Sequence, residues 1–112
     1  GPYTFLLEAT REVPKRLQNP KRRTIGIRVP DNAIVSMLLA ELGEPIMSST
    51  LLLPGESETP TDPQEIKEKL DHLVDLVIDG GTGGIEPSSI VDLSSGTPVI
   101  VRRGRGDVSA FE

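Results

Sequence analysis

Guanidinium and hydroxyl groups recur in this chain where apolar, strand-like runs come to an end. Arg28 closes Thr24-Ile25-Gly26-Ile27-Arg28-Val29 just before Pro30, and Ser48, Ser49 and Thr50 interrupt the run from Ile46 that reaches Pro54-Gly55. Ser88 and Ser89 open the run to Asp92, and Arg102 and Arg103 end the run from Val99, just before Gly104. Arginines and hydroxyls are ready donors to carboxylate and phosphate oxygens. Gathered at strand ends, they suggest a pocket for an anionic small molecule. Each also has a plainer reading. Arg28 alone reads equally as a solvent-facing edge residue, and buried hydroxyls at Ser48 to Thr50 would need partners from either backbone or ligand. By alternation Ser48 and Thr50 share one strand face, whereas Arg102 and Arg103 fall on opposite faces, so one of those two arginines is plain surface.

Other motifs carry less. Gly80 to Gly84 could cradle a phosphate with backbone N–H groups, but it lacks the Lys-Ser/Thr of a P-loop and precedes a strand rather than a helix, so it reads as a loop. Arg105-Gly106-Asp107 is an adhesion tripeptide by coincidence, and His72 is a solvated residue after a helix. The chain has no cysteine and one histidine, which removes thiolate chemistry, disulfides and multi-His metal sites. No metal site is expected from the protein's own side chains. The net charge of −5 argues against a nucleic-acid platform over the whole surface. Yet seven of the twelve cations lie between Arg11 and Arg28, so a local basic face remains open.

The elements that must hold these residues follow from local pattern. A chain of 112 residues is one domain, with an aliphatic core. Tyr3 to Ala9 reads as a strand, Glu12 to Gln18 as a short helical turn, and Thr24 to Val29 as a strand that Pro30 ends. Asp31 is an N-cap for a helix with Ile34, Leu38 and Leu42 at helical spacing and Val35 and Leu39 beside them, and Gly43 stops it. Ile46 to Leu53 reads as a strand and Gly55 to Pro60 as a polar loop. Asp62-Pro63-Gln64-Glu65 reads as a capping box with Pro at the first helical position, ahead of a helix with Ile66, Leu70 and Leu73 on one stripe. Val74 to Ile78 reads as a short buried strand. Ser88–Leu93 and Thr97–Arg102 form a hairpin turning at Ser94-Ser95-Gly96, and the last ten residues are irregular or a short helix. Several connections are too short for a helical crossover, which favours a mixed α+β sheet. No apolar run reaches the roughly 20 residues of a membrane span, and a cytoplasmic location is the default expectation.

Taken in order, five segments resemble the YrdC/YciO family, which includes threonylcarbamoyl-AMP synthases. Gly1 to Leu7 resembles the family's PGPxTxIL strand, and Thr24 to Pro30 its VxxRxP strand. Glu44 to Thr50, with Gly55, resembles the region of its STSAN-x-SG motif. Gly84 to Asp92 resembles its G-x-x-STVVD segment, and Val101 to Gly104 its closing LRxG. The Leu51-to-Gly55 ending and the tail Gly104-x-Gly106-Asp107-Val108 look most like the YciO branch. The resemblance implies a twisted, mixed α+β sheet with flanking helices, the YrdC-like (DHBP synthase-like) fold, around a concave cavity. It implies ATP, L-threonine and bicarbonate as ligands with Mg²⁺, and a product used to modify adenosine 37 of tRNA. It would give Arg28 a carboxylate or phosphate and would set Thr50, with Ser48 on its strand, near the nucleotide phosphates. Ser88 and Ser89 would lie on the threonine or phosphate side, and Arg102 on the nucleotide.

Two departures accompany the match. Leu52 stands where the family has an asparagine, so one polar contact is lost. The family's N-terminal part, with its Lys-x-Arg motif, has no counterpart among these residues, so residues 1–112 are expected to form one YrdC-like domain lacking that part. Such a chain is expected to self-associate, to pair with a second fragment, or to be part of a longer protein. Two further functional readings stand beside the synthase. One is a non-catalytic nucleotide- or RNA-binding module of YciO type, taking double-stranded RNA or tRNA. The other, a carbamoyl-transfer domain, lacks its accompanying acylphosphatase and zinc-finger segments.

Overall fold

The computed structural model describes residues 1–84 and 86–112. The chain divides into two compact units, one of residues 1–32 and 86–112, the other of residues 33–85.

The first unit is built on a four-stranded mixed sheet in the order β2-β1-β3-β4. Strand β1 (Tyr3–Glu8) is central, antiparallel to β2 (Thr24–Ile27) and parallel to β3 (Ser89–Asp92). Strand β4 (Val99–Arg102) closes the hairpin expected from the sequence, antiparallel to β3. The register puts Tyr3 beside Ser89 and Phe5 beside Val91. Alternation therefore sends those four residues to one face and Thr4, Leu6 and Ile90 to the other.

The first face is the core. Val91 and Ser89 are wholly buried, and Val108 nearly so. The rings of Tyr3 and Phe5 stack at 5.8 Å, and Phe111 meets both edge-on at 6.2 and 5.9 Å. Phe111 belongs to a short 3₁₀ turn, Ser109–Phe111, so the irregular tail packs back as a lid on the aromatic face. Aromatic pairs in these arrangements add roughly 0.5–1.5 kcal/mol beyond area burial, which compensates for the scarcity of large core residues. The β1–β2 connection contains the expected helical turn, reduced to Lys15–Leu17.

In the second unit, α1 (Ala33–Leu42) and α2 (Pro63–Leu70) are the regular elements among the described residues. Gly43 ends α1 at φ 75°, as its left-handed stop requires. Asn32, rather than Asp31, directly precedes α1. Val35 and Leu39 are its half-buried positions, whereas Ile34, Leu38 and Leu42 are exposed. The Asp62 carboxylate accepts from the Gln64 backbone N–H at 3.0 Å, with Pro63 at the first helical position. The reciprocal Glu65 contact of a capping box is replaced by an ion pair from Glu65 to Lys69 one turn on. Ile66 and Leu70 are half-buried, as their spacing predicts.

Two expected strands do not form. Residues 46–53 and 74–78 are irregular, and Val74, Leu76 and Ile78 are exposed instead of buried. A strand needs a ladder partner as well as β-forming residues, and among the described residues neither run has one. No described helix is long and apolar enough to cross a membrane.

Candidate functional site

The sheet face opposite the core carries at one end a hydrogen-bonded set of three side chains. Thr4 and Ser88 share a hydroxyl–hydroxyl bond of 2.7 Å. Arg102 donates from Nε to the Ser88 carbonyl at 2.9 Å and from Nη2 to the Ser88 hydroxyl at 3.2 Å. This double contact fixes the guanidinium plane. Its other N–H donors have no partner among the described residues, and the side chain is half-exposed, so it offers a donor edge to an incoming anion.

Strand irregularity delivers Arg102 to this position. In the β3–β4 hairpin Val91 stands opposite Ile100, but Ile90 stands opposite Arg102, because the register shifts between Ile90 and Val91. An unbroken register would put Val101 there. A bulge of this kind re-aims a side chain at the cost of one ladder position. Arg103, the next residue, pairs with Glu112 and is the surface arginine of the two.

Arg28 approaches the same edge from the opposite side. It directly follows β2, whose ladder with β1 ends at the Ile27–Phe5 pair; one further step of that register would face Thr4. Gly26 confirms the face, since a Cβ there would meet the Thr4 methyl at 3.6 Å and Leu6 at 3.5 Å. Arg28 is exposed and has no side-chain partner among the described residues. The amino terminus of Gly1 donates to the carbonyl of Val29, tying the ends of β1 and β2 together. Thr4, Ser88 and Arg102 thus meet at one end of the sheet, and Arg28 leaves β2 toward the same end.

Ser89 has a different position. Wholly buried on the core face, it donates to the Gly106 carbonyl at 2.6 Å and accepts from the Gly104 N–H at 2.9 Å. Its hydroxyl anchors the tail beneath the sheet. Ser48 and Thr50 belong to the second unit, in the irregular stretch after α1, and both are exposed. Leu52 in the same stretch is 54% exposed. Thr4 was absent from the residues singled out by sequence, although a lone hydroxyl inside Tyr3-Thr4-Phe5-Leu6-Leu7 is a signal of the kind used for Ser48 to Thr50.

Among the described residues no cluster of three His, Cys, Asp or Glu side chains is placed to hold a metal ion. The donor set at the edge is hydroxyl, carbonyl and guanidinium. Such a set does not fit a protein-held Mg²⁺, which calls for carboxylate oxygens.

These features define a class first: an α+β domain whose mixed sheet presents cationic and hydroxyl donors along one edge. A family model described as "Telomere recombination", covering Sua5, YciO and YrdC proteins, matches residues 1–104. The chain is 53% identical to YciO of Escherichia coli over 111 residues, 99% of this chain and 54% of that protein. The crystal structure of E. coli YciO superposes with a TM-score of 0.93 over the whole chain and 54% of its own. A threonylcarbamoyl-AMP synthase of Vibrio vulnificus is 30% identical over 105 residues, 93% of this chain and 54% of the synthase. A structure of Sua5 from P. abyssi gives a TM-score of 0.80 at 27% identity, over 93% of this chain and 32% of that one. The chain belongs to the Sua5/YciO/YrdC family and is related to its threonylcarbamoyl-AMP synthases. It spans about half the length of the curated relatives it matches.

Proposed function

We propose that this domain binds the triphosphate and carboxylate groups of ATP and L-threonine along the Arg28–Thr4–Ser88–Arg102 edge, for formation of threonylcarbamoyl-AMP. The observation that carries the reading is the Ser88-locked Arg102 beside the Thr4 hydroxyl. In the reaction the threonine amine takes up bicarbonate as a carbamate with loss of water. A carbamate oxygen then attacks the α-phosphorus of ATP, and the α–β bond breaks to release pyrophosphate. Both steps place negative charge near fixed donors. Preorganised guanidinium and hydroxyl groups stabilise such charge without reorganising as it develops. Mg²⁺ would arrive on the triphosphate and neutralise part of its charge there. The product's use in tRNA modification follows from the synthase reading.

The test has two measurements. The first is ATP affinity of the parent chain and of Arg102→Ala and Ser88→Ala. Losing a charge-assisted donor costs about 1.5–3 kcal/mol, so Arg102→Ala should weaken ATP binding by roughly 10- to 100-fold. Ser88→Ala should weaken it less, by freeing the guanidinium to rotate. Equal affinity in parent and Arg102→Ala would refute the assignment. The second is pyrophosphate release in ATP, bicarbonate and Mg²⁺, with and without threonine. Threonine-dependent release supports turnover. Binding without release supports the YciO-type binding module instead, a reading favoured by one feature: the side chain of Leu52, at the position that resembles the family motif's asparagine, has no polar atom to offer.

A further inference from the structure

Two adjacent serines hold Arg102 at both ends. Ser88 accepts the guanidinium, through its carbonyl at 2.9 Å and its hydroxyl at 3.2 Å. Ser89, on the other face of β3, holds the backbone that follows Arg102. The β3–β4 ladder ends at the Ile90–Arg102 pair, just past the bulge. Beyond it the chain is tied to β3 by a side chain instead. The Ser89 hydroxyl accepts from the Gly104 N–H at 2.9 Å and donates to the Gly106 carbonyl at 2.6 Å. Arg102 is thus bracketed, by the bulge on one side and by the Ser89 bond to Gly104 on the other.

The acceptor of the guanidinium is fixed by the same segment. The Ser88 carbonyl and the Ser89 N–H belong to one planar peptide unit. Its N–H donates to the Pro2 carbonyl at 2.9 Å while its oxygen takes Arg102 Nε. The preceding carbonyl, of Pro87, accepts from the Arg105 N–H at 2.9 Å. The tail is anchored further on by the Tyr3 hydroxyl, which donates to the Asp107 carbonyl at 2.9 Å. Ser89 itself is wholly buried, so its hydroxyl serves the tail and not a ligand. Without that hydroxyl the Gly104 N–H and the Gly106 carbonyl lose their partner, and an unsatisfied buried group bears its full desolvation penalty. Relief requires residues 103–106 to move, and Arg102 stands at the upstream end of that movement.

We propose that Ser89 is a positioning residue for Arg102. Its hydroxyl, acting through the Gly104–Gly106 backbone, sets where Arg102 leaves the sheet and so how the guanidinium meets Ser88 and an incoming phosphate or carboxylate. The consequence for ATP rests on the proposed ATP site; the effect on the guanidinium does not.

The experiment compares Ser89→Thr with Ser89→Val, which share a shape and differ by the hydroxyl. Ser89→Ala, which removes the hydroxyl without adding volume, should behave as Ser89→Val. The first readout is the Arg102 Nε–H resonance of the ¹⁵N-labelled chain, assigned as the one missing from Arg102→Ala. Held on the Ser88 carbonyl, this proton should exchange slowly with water in the parent and in Ser89→Thr. In Ser89→Val it should exchange about 2- to 10-fold faster, the factor that one ordinary hydrogen bond is worth. Leu7→Ala, at the other end of β1, should lower the urea midpoint and leave the resonance unchanged. The second readout is ATP affinity, well below each variant's unfolding midpoint. It should match the parent in Ser89→Thr and be about 2- to 10-fold weaker in Ser89→Val. The proposal is overturned if exchange at Arg102 is the same in Ser89→Val, Ser89→Ala and parent, or is accelerated as much by Ser89→Thr or Leu7→Ala. It is also overturned if Arg102→Ala weakens ATP binding and neither Ser89→Val nor Ser89→Ala does. Faster exchange in Ser89→Val, with ATP affinity indifferent to that change and to Arg102→Ala alike, refutes ATP binding at Arg102 and upholds the positioning.

Discussion

At the scale of single residues, what separates ligand donors from structural ones is whether a polar group is already spent. Ser88 and Ser89 are adjacent and both buried, yet alternation gives them opposite tasks. Ser88 steers a guanidinium that still has donors to offer, whereas the Ser89 hydroxyl is consumed by Gly104 and Gly106. Sequence could mark both as hydroxyls at a strand start but could not tell them apart, because the deciding partners lie 14 or more residues away. Asp92 is a spent carboxylate of another kind. It accepts from the Ser94 hydroxyl at 2.6 Å and the Ser94 N–H at 2.8 Å, and these bonds hold its pKa below the ordinary carboxylate value. Arg22 adds a weaker Coulombic pull in the same direction. A depressed folded-state pKa means that ionised Asp92 stabilises the fold above the unfolded value near pH 4, and that this contribution is lost as pH falls through the lower folded value. Asp92→Asn should therefore be less stable than the parent at pH 7, with the gap narrowing in acid. Urea midpoints measured from pH 7 to pH 2 check it, and a gap of constant size would contradict the account.

At the scale of elements, the tail from Gly104 onward is held by geometry that tolerates no added carbon. A Cβ on Gly104 would sit 2.3 Å from the Pro87 carbonyl oxygen and 2.6 Å from Ser88 backbone atoms. One on Gly106 would meet the Tyr3 ring at 2.5 Å. The Gly104 clash is with backbone that also carries the Arg102–Ser88 contact, so relief must move the site. Gly104→Ala should destabilise by about 1–3 kcal/mol and also weaken ATP binding, although residue 104 touches no ligand in the proposed site. Denaturant unfolding and ATP titration of this variant measure the two effects, and normal values of both would show that strand and tail are not coupled. The elements most legible in the sequence were those with local signals: the Asp62-Pro63 start of α2, the Gly43 end of α1 and the Ser94–Gly96 turn. The bulge that turns Arg102 toward Ser88 left no mark in Val99-Ile100-Val101-Arg102, because register depends on the partner strand. Residues 46–53 and 74–78 were misread for the same reason in reverse: their composition is right for strands, and pairing is a non-local matter.

At the scale of the whole molecule, the chain shows more apolar surface than its small core would suggest. Val91 and Val108 are the buried hydrophobic side chains among the described residues, while Val29, Met37, Met47, Leu73 and Leu76 are each more than 70% exposed. Monomeric proteins seldom leave apolar surface in contiguous patches larger than a few hundred Å², and burial is favoured by about 25 cal/mol per Å². Sheet geometry points the same way, since β2 and β4 are the edge strands of the sheet, and an edge strand offers backbone groups for further pairing. Net charge of −5 opposes close approach of two copies, but that repulsion is screened within roughly 8 Å at physiological salt. The hydrophobic term therefore wins as salt rises. The chain on its own should self-associate with increasing concentration, more strongly in added salt, and should bind a fluorescent dye for apolar surface. Sedimentation velocity over a concentration series at low and high salt gives the mass directly. Met37→Glu and Leu76→Glu, both at exposed positions, should shift the distribution back toward monomer without lowering the unfolding midpoint appreciably. A single monomeric species at all concentrations, with no dye binding, would mean that these side chains find cover that the described residues do not show.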